Sequence, residues 1–428
     1  MKRENEPLNA PTAPESISRS AATTTPIPRT AVHPLEKWLL NRLMAAAGYP
    51  PIEMSLYGQS IYKPAKSLGR FNICDRAALI KLCTYPDLHF GELYMAGRLE
   101  AYGDLTELLT AMNRSLPDIK QRGLIANWAG KVSQFKRNTL TRARTNIHHH
   151  YDISNEFYRL WLDERMLYTC AYFPTVDTSL EDAQVAKMDH VCRKLRLKAG
   201  EDVVEAGCGW GALALHMAKH YGVKVKAYNI SREQINYARE RAKAEGLADR
   251  LEYIEGDYRS INGRYDVFVS VGMLEHVGPP HYEELGAVID RCLREDGRGL
   301  IHSIGRNRPA PVNAWTTKRI FPGGYTPSLF EMDAIFEPYR FSILDVENLR
   351  LHYAKTLQHW LARFEAHADQ VRDMFDEPFI RAWRLYLAGS TAAFIAGELQ
   401  LFQVVFTRHW NNDIPLTRDF LYGHNKSD

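Results

Sequence analysis

Short apolar runs that alternate with helical windows dominate the second half of this 428-residue chain. The runs predict strands at residues 202–206, 223–229, 251–255, 265–271 and 299–304, and helices at 211–220, 231–245 and 281–294 lie between them. Strands and helices that alternate at this spacing favour a parallel sheet with right-handed crossovers. We therefore predict a doubly wound, mostly parallel α/β domain.

Three further segments have different compositions. Residues 1–34 mix charge, Pro, Ser and Thr without the apolar core of a secretory signal, which predicts a disordered tail. Apolar residues at helical spacing predict a smaller, mainly helical domain over 35–120, followed by a basic connector over 121–149. Residues 150–428 then form the α/β domain, and roughly its last eighty residues, rich in Phe and Trp, predict helix again.

Charge and hydropathy indicate whether nucleic acid or a membrane is an expected partner of this chain. Lys and Arg number 54 against 51 Asp and Glu, so the net charge of +3 lacks the excess with which a nucleic-acid binder neutralises phosphate. Residues 119–144 nevertheless contain seven Lys and Arg and no acid. Such a connector is typical of a segment attracted to an anionic membrane surface, and equally of a solvated interdomain helix. The apolar run at 385–397 is shorter than the roughly 20 residues that cross a bilayer, so no membrane span is predicted.

The cysteines and histidines give no sign of a disulfide framework or a metal site. Cysteines at positions 74, 83, 170, 192, 208 and 292 form no C-x-x-C pair, which predicts reduced thiols in a cytosolic protein. The consecutive His148, His149 and His150 do not converge easily on one ion. No metal is expected.

The sharpest motif is the turn Glu205-Ala206-Gly207-Cys208-Gly209-Trp210-Gly211, between a predicted strand and a predicted helix. Its glycines allow a tight turn and a close approach of the backbone to a ligand at the carboxyl edge of the sheet. Dinucleotide enzymes use a related motif, but here the third glycine comes one position early and the Glu205 carboxylate would repel a pyrophosphate. Glu205 suits a cationic ligand without phosphate, such as S-adenosylmethionine. A turn-stabilising role for Glu205 is the alternative.

Polar residues after the next two strands are candidates for the same ligand. Asn229 stands where such folds usually carry a carboxylate for ribose hydroxyls, and Ser231 and Gln234 add hydrogen-bonding groups. After the third strand, Asp257 is a candidate for the adenine amino group and Tyr258 for stacking. Taken singly, each of these is more often a turn residue than a ligand.

Five blocks of residues, in this order, resemble the cyclopropane-fatty-acyl-phospholipid synthase family. They are His150-Tyr151-Asp152 with Asn155, Tyr168-Thr169-Cys170-Ala171-Tyr172-Phe173, the turn at 205–211, Ser270-Val271-Gly272-Met273-Leu274-Glu275-His276-Val277-Gly278, and Ile320-Phe321-Pro322-Gly323-Gly324. The resemblance covers roughly residues 60–415. The stretch 91–97 is also similar to the lipid-facing helical domain of members that act on phospholipids. The resemblance implies a Rossmann-like methyltransferase domain and a homodimer at the cytoplasmic face of the membrane.

The chemistry implied is transfer of a methylene group from S-adenosylmethionine to the cis double bond of an unsaturated acyl chain in a membrane phospholipid. An alkene is a weak nucleophile, so the site must align it at near-attack distance and exclude water. The attack leaves a carbocation, which aromatic faces stabilise by roughly 0.5–2 kcal/mol each. The candidate aromatics are Tyr172, Phe173, Trp315 and Tyr353, and a role in the core is the alternative for each.

In this family a bound bicarbonate takes the proton that ring closure releases. The resemblance places its ligands at Cys170, Glu275, His302, Ile304 through its backbone, and Tyr353. It places S-adenosylmethionine at Tyr168, Thr169, Glu205, Gly207, Gly209, Asn229, Ile230, Gln234, Asp257, Tyr258 and Val271. Glu205 and Ala206 depart from the common Asp and larger aliphatic residue, and Asn229 replaces a common Thr.

Other members of the family, and other classes, remain alternatives. A fatty-acyl C-methyltransferase without ring closure and a small-molecule N-methyltransferase could share this cofactor site. The full bicarbonate set favours ring closure, and the helical N-terminal domain favours a phospholipid over a free amine. A nucleic-acid methyltransferase would be expected to carry an N/D-P-P-Y/F loop, which Gly278-Pro279-Pro280-His281 is not. A lipid-binding protein without catalysis would be expected to lack Glu275 or the glycine turn.

Overall fold

The computed structural model describes residues 31–117 and 154–422. The predicted basic connector, the three consecutive histidines and nearly all of the predicted tail lie outside the described residues. From Val32 onward the chain clusters into one compact unit.

The N-terminal part combines helices with a small sheet. The helices are α1 (Pro34–Ala46), α2 (Arg76–Thr84), α3 (Pro86–Met95) and α4 (Leu105–Ser115), and the strands are β1 (Glu53–Leu56), β2 (Gln59–Tyr62), β3 (Arg70–Ile73) and β4 (Leu99–Tyr102). The carboxylates of Asp75 and Asp104 cap α2 and α4 by accepting backbone N–H bonds. The prediction of a helical region is confirmed. The sheet, in the order β2-β1-β3-β4, was not predicted because each strand has only four residues.

A larger, seven-stranded sheet occupies the rest of the chain. Its strands are β5 (Asp202–Ala206), β6 (Lys224–Asn229), β7 (Leu251–Glu255), β8 (Tyr265–Val271), β9 (Leu293–Gly305), β10 (Phe341–Asn348) and β11 (Gln400–Arg408), in the order β10-β11-β9-β8-β5-β6-β7. The five strands from β9 to β7 in this order run parallel, whereas β11 is antiparallel to both of its neighbours. The predicted doubly wound, mostly parallel sheet is therefore confirmed.

Helices cover both faces of this sheet. They are α5 (Asn155–Arg159), α6 (Leu180–Lys194), α7 (Ala212–Tyr221), α8 (Arg232–Ala244), α9 (Tyr282–Cys292), α10 (Ala314–Arg319), α11 (Leu329–Met332), α12 (Arg350–Ala366), α13 (Ala368–Met374), α14 (Glu377–Ala396) and α15 (Asp419–Tyr422). Short 3₁₀ turns include Tyr258–Ser260 and Leu274–His276, which follow the ends of β7 and β8. Helix α14 packs against α3, α4 and α12 and so links the N-terminal part to the larger sheet.

Two predictions of secondary structure were wrong in part. The helix predicted at 281–294 ends at Cys292, because Leu293 already pairs with Tyr265 of β8. Helix was also predicted through the C-terminal end, where residues 400–408 instead form β11. Every residue of β11 is buried, so the strand lacks the alternation that marks a half-exposed strand.

Among residues 31–117 and 154–422, no helix is both long and apolar enough to cross a membrane.

Candidate active site

A cleft opens at the carboxyl ends of β5, β6, β7 and β8, the edge at which ligands bind in open α/β sheets. The structure brings every predicted cofactor residue to this cleft: Tyr168, Thr169, Glu205, Gly207, Gly209, Asn229, Ile230, Gln234, Asp257, Tyr258 and Val271. The remaining lining residues that we did not predict include Met166, Lys187, Trp210, Arg259, Met273 and His276. Ser231 is not among the lining residues and caps α8 instead.

The glycine turn forms the floor of the cleft. Gly207 and Gly211 adopt left-handed backbone angles, with φ of +83° and +80°. A Cβ atom on Gly207 would lie 2.8 Å from the Met273 Cβ, and one on Gly211 would lie 2.7 Å from the Ala238 Cβ. Side chains at these positions would therefore both strain the backbone and collide with neighbouring residues. The turn keeps its shape because only glycine fits.

Glu205 is a buried carboxylate with an unused oxygen. Its side chain lines the cleft although the residue is only 2% exposed, and its Oε2 atom has no hydrogen-bond partner among the described residues. Burial raises the pKa of Glu205 to about 8, and the Lys187 ammonium opposes that rise. Such a group is costly unless it meets a donor or a cation. The arrangement fits the cationic ligand predicted from the sequence.

Asn229 and Asp257 are already engaged within the protein. The Asn229 amide donates to the Gly209 carbonyl at 3.2 Å and to the Gln234 side chain at 2.7 Å, which ties β6 to the glycine turn. Asp257 accepts a bond from the Arg259 backbone N–H at 3.0 Å and pairs with its guanidinium at 3.3 Å. The Arg259 guanidinium also lies 4.9 Å over the Tyr258 ring. These residues shape the wall of the cleft whatever else they bind.

Residues 166–169 line part of the cleft, and helix α6 holds them in place. Gln184 donates to the carbonyl of Thr169 at 3.0 Å, and the Lys187 ammonium donates to the Thr169 hydroxyl at 2.7 Å. The Tyr168 hydroxyl lies 2.7 Å from the Tyr386 hydroxyl on α14. The sequence signal that we missed is a run of polar residues on the buried face of α6: Gln184, Lys187, His190 and Lys194.

Glu275 and Ile304 are in direct contact behind the cleft. The Glu275 Oε1 atom accepts the Ile304 N–H at 2.7 Å, while Oε2 is buried without a hydrogen-bond partner among the described residues. Burial raises the pKa of Glu275 to about 7, with the Ile304 N–H acting in the opposite direction. The loop after Gly324 reaches the same place, because the Tyr325 N–H donates to the Glu275 carbonyl at 2.8 Å.

None of the five predicted catalytic residues is among the residues that line the cleft, but three of them are next to lining residues in the sequence or across the sheet. Cys170 follows the lining residue Thr169, Glu275 precedes His276, and His302 pairs with Val271 across adjacent strands. Cys170, Tyr353 and Ile304 belong to one apolar cluster. Burial raises the pKa of the Cys170 thiol and lowers that of His302 well below its usual range, so both are neutral groups.

The predicted aromatic residues divide into two groups. Tyr172 stacks between His190 and His352, with ring centroids 4.3 and 4.8 Å away, and it does not line the cleft. Nor do the other two members of this group: Phe173 stacks on His359, and Trp315 packs against Gly91. Tyr353, in contrast, connects to the lining residue Tyr168 through Trp360, at centroid distances of 6.0 and 5.3 Å.

Comparison with known proteins identifies the family. Residues 138–404 match the family described as mycolic acid cyclopropane synthetase. The chain belongs to this family. The match covers more than half of the chain and contains every predicted site residue, which confirms the resemblance drawn from the sequence.

Individual relatives carry two kinds of name. The chain is 36% identical over 356 residues to a "Probable fatty acid methyltransferase" of Pseudomonas putida, covering 80% of this chain and 89% of that protein. It is 41% identical over 270 residues to the "Cyclopropane-fatty-acyl-phospholipid synthase" of Escherichia coli K12, covering 63% and 69%.

Among solved structures, a mycolic acid cyclopropane synthase in complex with SAH and CTAB is 29% identical to the chain. It aligns with a TM-score of 0.59 over 62% of this chain and 98% of its own. The family match and this fold establish that the protein is a methyltransferase of the cyclopropane synthase type.

Proposed function

We propose that this protein is a cyclopropane fatty acid synthase. It transfers a methylene group from S-adenosylmethionine to the cis double bond of unsaturated acyl chains in membrane phospholipids. The observation that carries the proposal is the buried Glu275 carboxyl behind the cofactor cleft, with one oxygen on the Ile304 N–H and the other unpartnered among the described residues. A plain methyl transfer has less need of a second polar pocket at this depth.

The lining of the cleft fits S-adenosylmethionine. The unpartnered Oε2 of Glu205 suits a positive group, and the positive φ angles at the glycine turn let the backbone approach a ligand closely. Tyr168, Thr169, Asn229, Asp257 and the other predicted cofactor residues would hold the nucleoside and methionyl parts. When bound, this cofactor supplies the electrophilic methyl group. SAH in the related cyclopropane synthase structure supports the assignment.

The pocket behind the cleft fits a small anion that shares a proton with the protein. With a pKa near 7, Glu275 carries a proton in a large part of the population at neutral pH, so it can donate to an anion's oxygen instead of repelling it. Neutral His302 and Tyr353 would complete the set, with Cys170 beside them. A bound bicarbonate would supply a base for the proton lost on ring closure.

The surrounding aromatic cluster would exclude water and stabilise positive charge. Trp161, Trp360 and Tyr353 are buried. The two tryptophan rings pack against Tyr168 at the cleft wall, and Tyr353 packs against Trp360. An aromatic face near a developing carbocation lowers its energy, and the effect is stronger where water is excluded. The protein would thus align the acyl double bond with the cofactor, exclude water from the site and hold the group that accepts the proton lost on ring closure.

Two further parts of the proposal concern location and assembly. We propose that the enzyme acts at the cytoplasmic face of the membrane as a homodimer. The phospholipid named in the E. coli relative supports a membrane substrate, and the basic composition of residues 121–149 supports attraction to an anionic surface.

The main alternative is a fatty-acyl C-methyltransferase that does not close a ring. The name of the P. putida relative, which covers more of this chain than the E. coli synthase does, favours it. A small-molecule N-methyltransferase is the second alternative, because the same cofactor cleft could serve an amine.

Product analysis separates these activities. Purified protein is incubated with vesicles of unsaturated phospholipid, methyl-labelled S-adenosylmethionine and bicarbonate, and the acyl chains are analysed by mass spectrometry and proton NMR. The proposal predicts a mass gain of one methylene group together with loss of the olefinic signals and appearance of cyclopropyl signals. A mass gain with olefinic hydrogens retained would establish methylation without ring closure. Label transferred only to an added amine would establish the N-methyltransferase.

A further inference from the structure

Lys187 is a charged residue in the cofactor cleft to which the proposed reaction assigns no role. It lies on α6, is 1% exposed and lines the cleft together with Glu205, which is 2% exposed. Its ammonium donates to the Thr169 hydroxyl at 2.7 Å, and this bond fixes the ammonium at the cleft wall. A lysine is rarely this buried unless it is paired, so its partners are informative.

The titratable groups that interact with Lys187 come from three parts of the fold. Asp163 and Cys170 lie on the segment between α5 and α6, and Glu205 is the last residue but one of β5. The ammonium charge also acts on His302 of β9. Asp163 is satisfied internally, because it accepts the backbone N–H groups of Arg165 and Leu167 at 3.0 and 2.8 Å. Glu205, in contrast, has an oxygen with no hydrogen-bond partner among the described residues. Glu205 is therefore the carboxylate that depends most on a nearby positive charge.

The other titratable neighbours of Glu205 cannot supply that charge. The thiols of Cys192 and Cys208 and the phenol of Tyr253 are buried, and the Glu205 charge raises the pKa of each. They are neutral groups at physiological pH. The ammonium of Lys187 is the cation that acts on Glu205 in the described part of the chain.

We infer that Lys187 is a positioning residue of the cofactor cleft, whose buried ammonium favours the ionised form of Glu205, so that this carboxyl gives up its proton when the positively charged part of S-adenosylmethionine binds. The inference rests on the proposed cofactor site. Without Lys187, an isolated carboxylate in this interior takes up a proton and loses its attraction for a cation. In the native protein burial lowers the pKa of Lys187 to about 8 and raises that of Glu205 to about 8, so the rise of cofactor affinity with pH would lie at higher pH without Lys187.

The test uses binding of S-adenosylhomocysteine, which retains the ammonium group of the donor, to the full-length protein by titration calorimetry. Lys187→Met is predicted to weaken binding at least about tenfold near pH 7.5, which corresponds to a rise of about one unit in the pKa of Glu205. The difference between the two proteins should shrink to about twofold as the pH is raised toward 9, because Glu205 then ionises in both. Lys194→Met is the matched control, because Lys194 is equally buried on α6 but pairs with Glu347 and does not line the cleft.

A double-mutant cycle separates this role from a purely structural one. In a Glu205→Gln background, Lys187→Met should change affinity by less than about twofold, because no carboxylate remains to be ionised. If the two losses multiply instead, or if Lys187→Met matches Lys194→Met at every pH, the inference is overturned. Absence of binding by the native protein would overturn the proposed cofactor site itself, which is a different result.

A second variant and a second measurement guard against misfolding. Lys187→Gln removes the charge with a smaller change in polarity and should reproduce the pH-dependent loss. If neither variant folds, the protonation state of Glu205 is measured by infrared spectroscopy of the native protein. The difference between the spectra of the native protein and Glu205→Gln identifies the carboxyl band of Glu205. With S-adenosylhomocysteine bound, an ionised Glu205 near pH 7.5 is the expected result, and a protonated one contradicts the inference.

Discussion

At the scale of single residues, the site is marked by buried carboxylates that are not fully paired. Glu205 and Glu275 each keep an oxygen without a hydrogen-bond partner among the described residues, and burial raises the pKa of both. Glu92 behaves in the opposite way, because Arg319 and Lys318 lower its pKa to about 2. Glu92, which joins two helices, is thus fully paired with cations, whereas Glu205 and Glu275 at the cleft each keep an oxygen available for a ligand.

The raised pKa of Glu275 has a consequence for stability. The folded protein holds a proton on Glu275 up to about pH 7, whereas the unfolded chain releases it near 4.5, so the stability contributed by this group falls as pH rises between those values. Glu275→Gln removes this titration. The free energy of unfolding of the native protein, measured by denaturant titration, should therefore fall relative to the variant by about 3 kcal/mol between pH 4.5 and 8. If the free energy of unfolding changes with pH in the same way for both proteins, the burial of the Glu275 carboxyl is contradicted.

Residue-level prediction from sequence worked where a motif fixes the backbone. Glu205, Gly207 and Gly209 lie at the carboxyl end of a strand that the apolar pattern predicts, so their position in the cleft follows from topology. Lys187 could not be found in this way, because a lysine in a helix is usually exposed. Nor does the sequence indicate that Arg259 pairs with the Asp257 carboxylate. Asp257 caps the short 3₁₀ turn that contains Arg259, and Arg259 also pairs with Glu284 of α9, which no local pattern predicts.

At the scale of elements, the fold was predictable for strands whose pattern is local and not for those defined by distant partners. Strands β5, β7 and β8 begin and end at the predicted residues. Strand β11 was missed because it is buried on both faces between β9 and β10, and those partners lie far away in the sequence. The small N-terminal sheet was missed for a related reason, since its short strands gain their stability from packing on α1 to α4.

Contact between α3 and α10 gives a prediction at this scale. An added Cβ on Gly91 of α3 would lie 2.4 Å from the Trp315 ring, whereas one on Gly389 of α14 would meet nothing closer than Leu109 at 3.9 Å. Gly91→Ala should destabilise the protein by about 1–3 kcal/mol through overpacking. The matched Gly389→Ala should be neutral or stabilising by up to about 1 kcal/mol, because it replaces glycine within a helix. Thermal or denaturant unfolding of both variants checks this, and equal effects would contradict the described packing.

At the scale of the whole molecule, the N-terminal part is joined to the catalytic sheet next to the site. Glu92 on α3 pairs with Arg319 on α10, and Asp87 accepts the Ala314 N–H. The chain after α10 then runs to Tyr325, whose N–H bonds to the carbonyl of Glu275. The region that the sequence predicts to recognise lipid is therefore connected by few residues to the proposed anion pocket.

The sequence predicted both regions but not this connection. Residues 35–120 and the α/β part have different spacings of apolar residues, and the spacing in each region predicts its secondary structure. Contacts between Gly91 and Trp315, or between Asp87 and α10, involve pairs more than two hundred positions apart. No local pattern encodes such pairs, so they required the structure.

Ring closure, as we propose it, requires the buried pocket at Glu275 together with the cofactor cleft. The most direct measurement is the rate of cyclopropane formation in carbon dioxide-free buffer as bicarbonate is added back, for the native protein and Glu275→Gln. We expect a native rate that falls without bicarbonate and recovers with it. We expect Glu275→Gln to bind cofactor normally but to stay at least about a hundredfold slower at every bicarbonate concentration. A native rate that ignores bicarbonate, or a variant that turns over as fast as the native protein, would contradict the proposal.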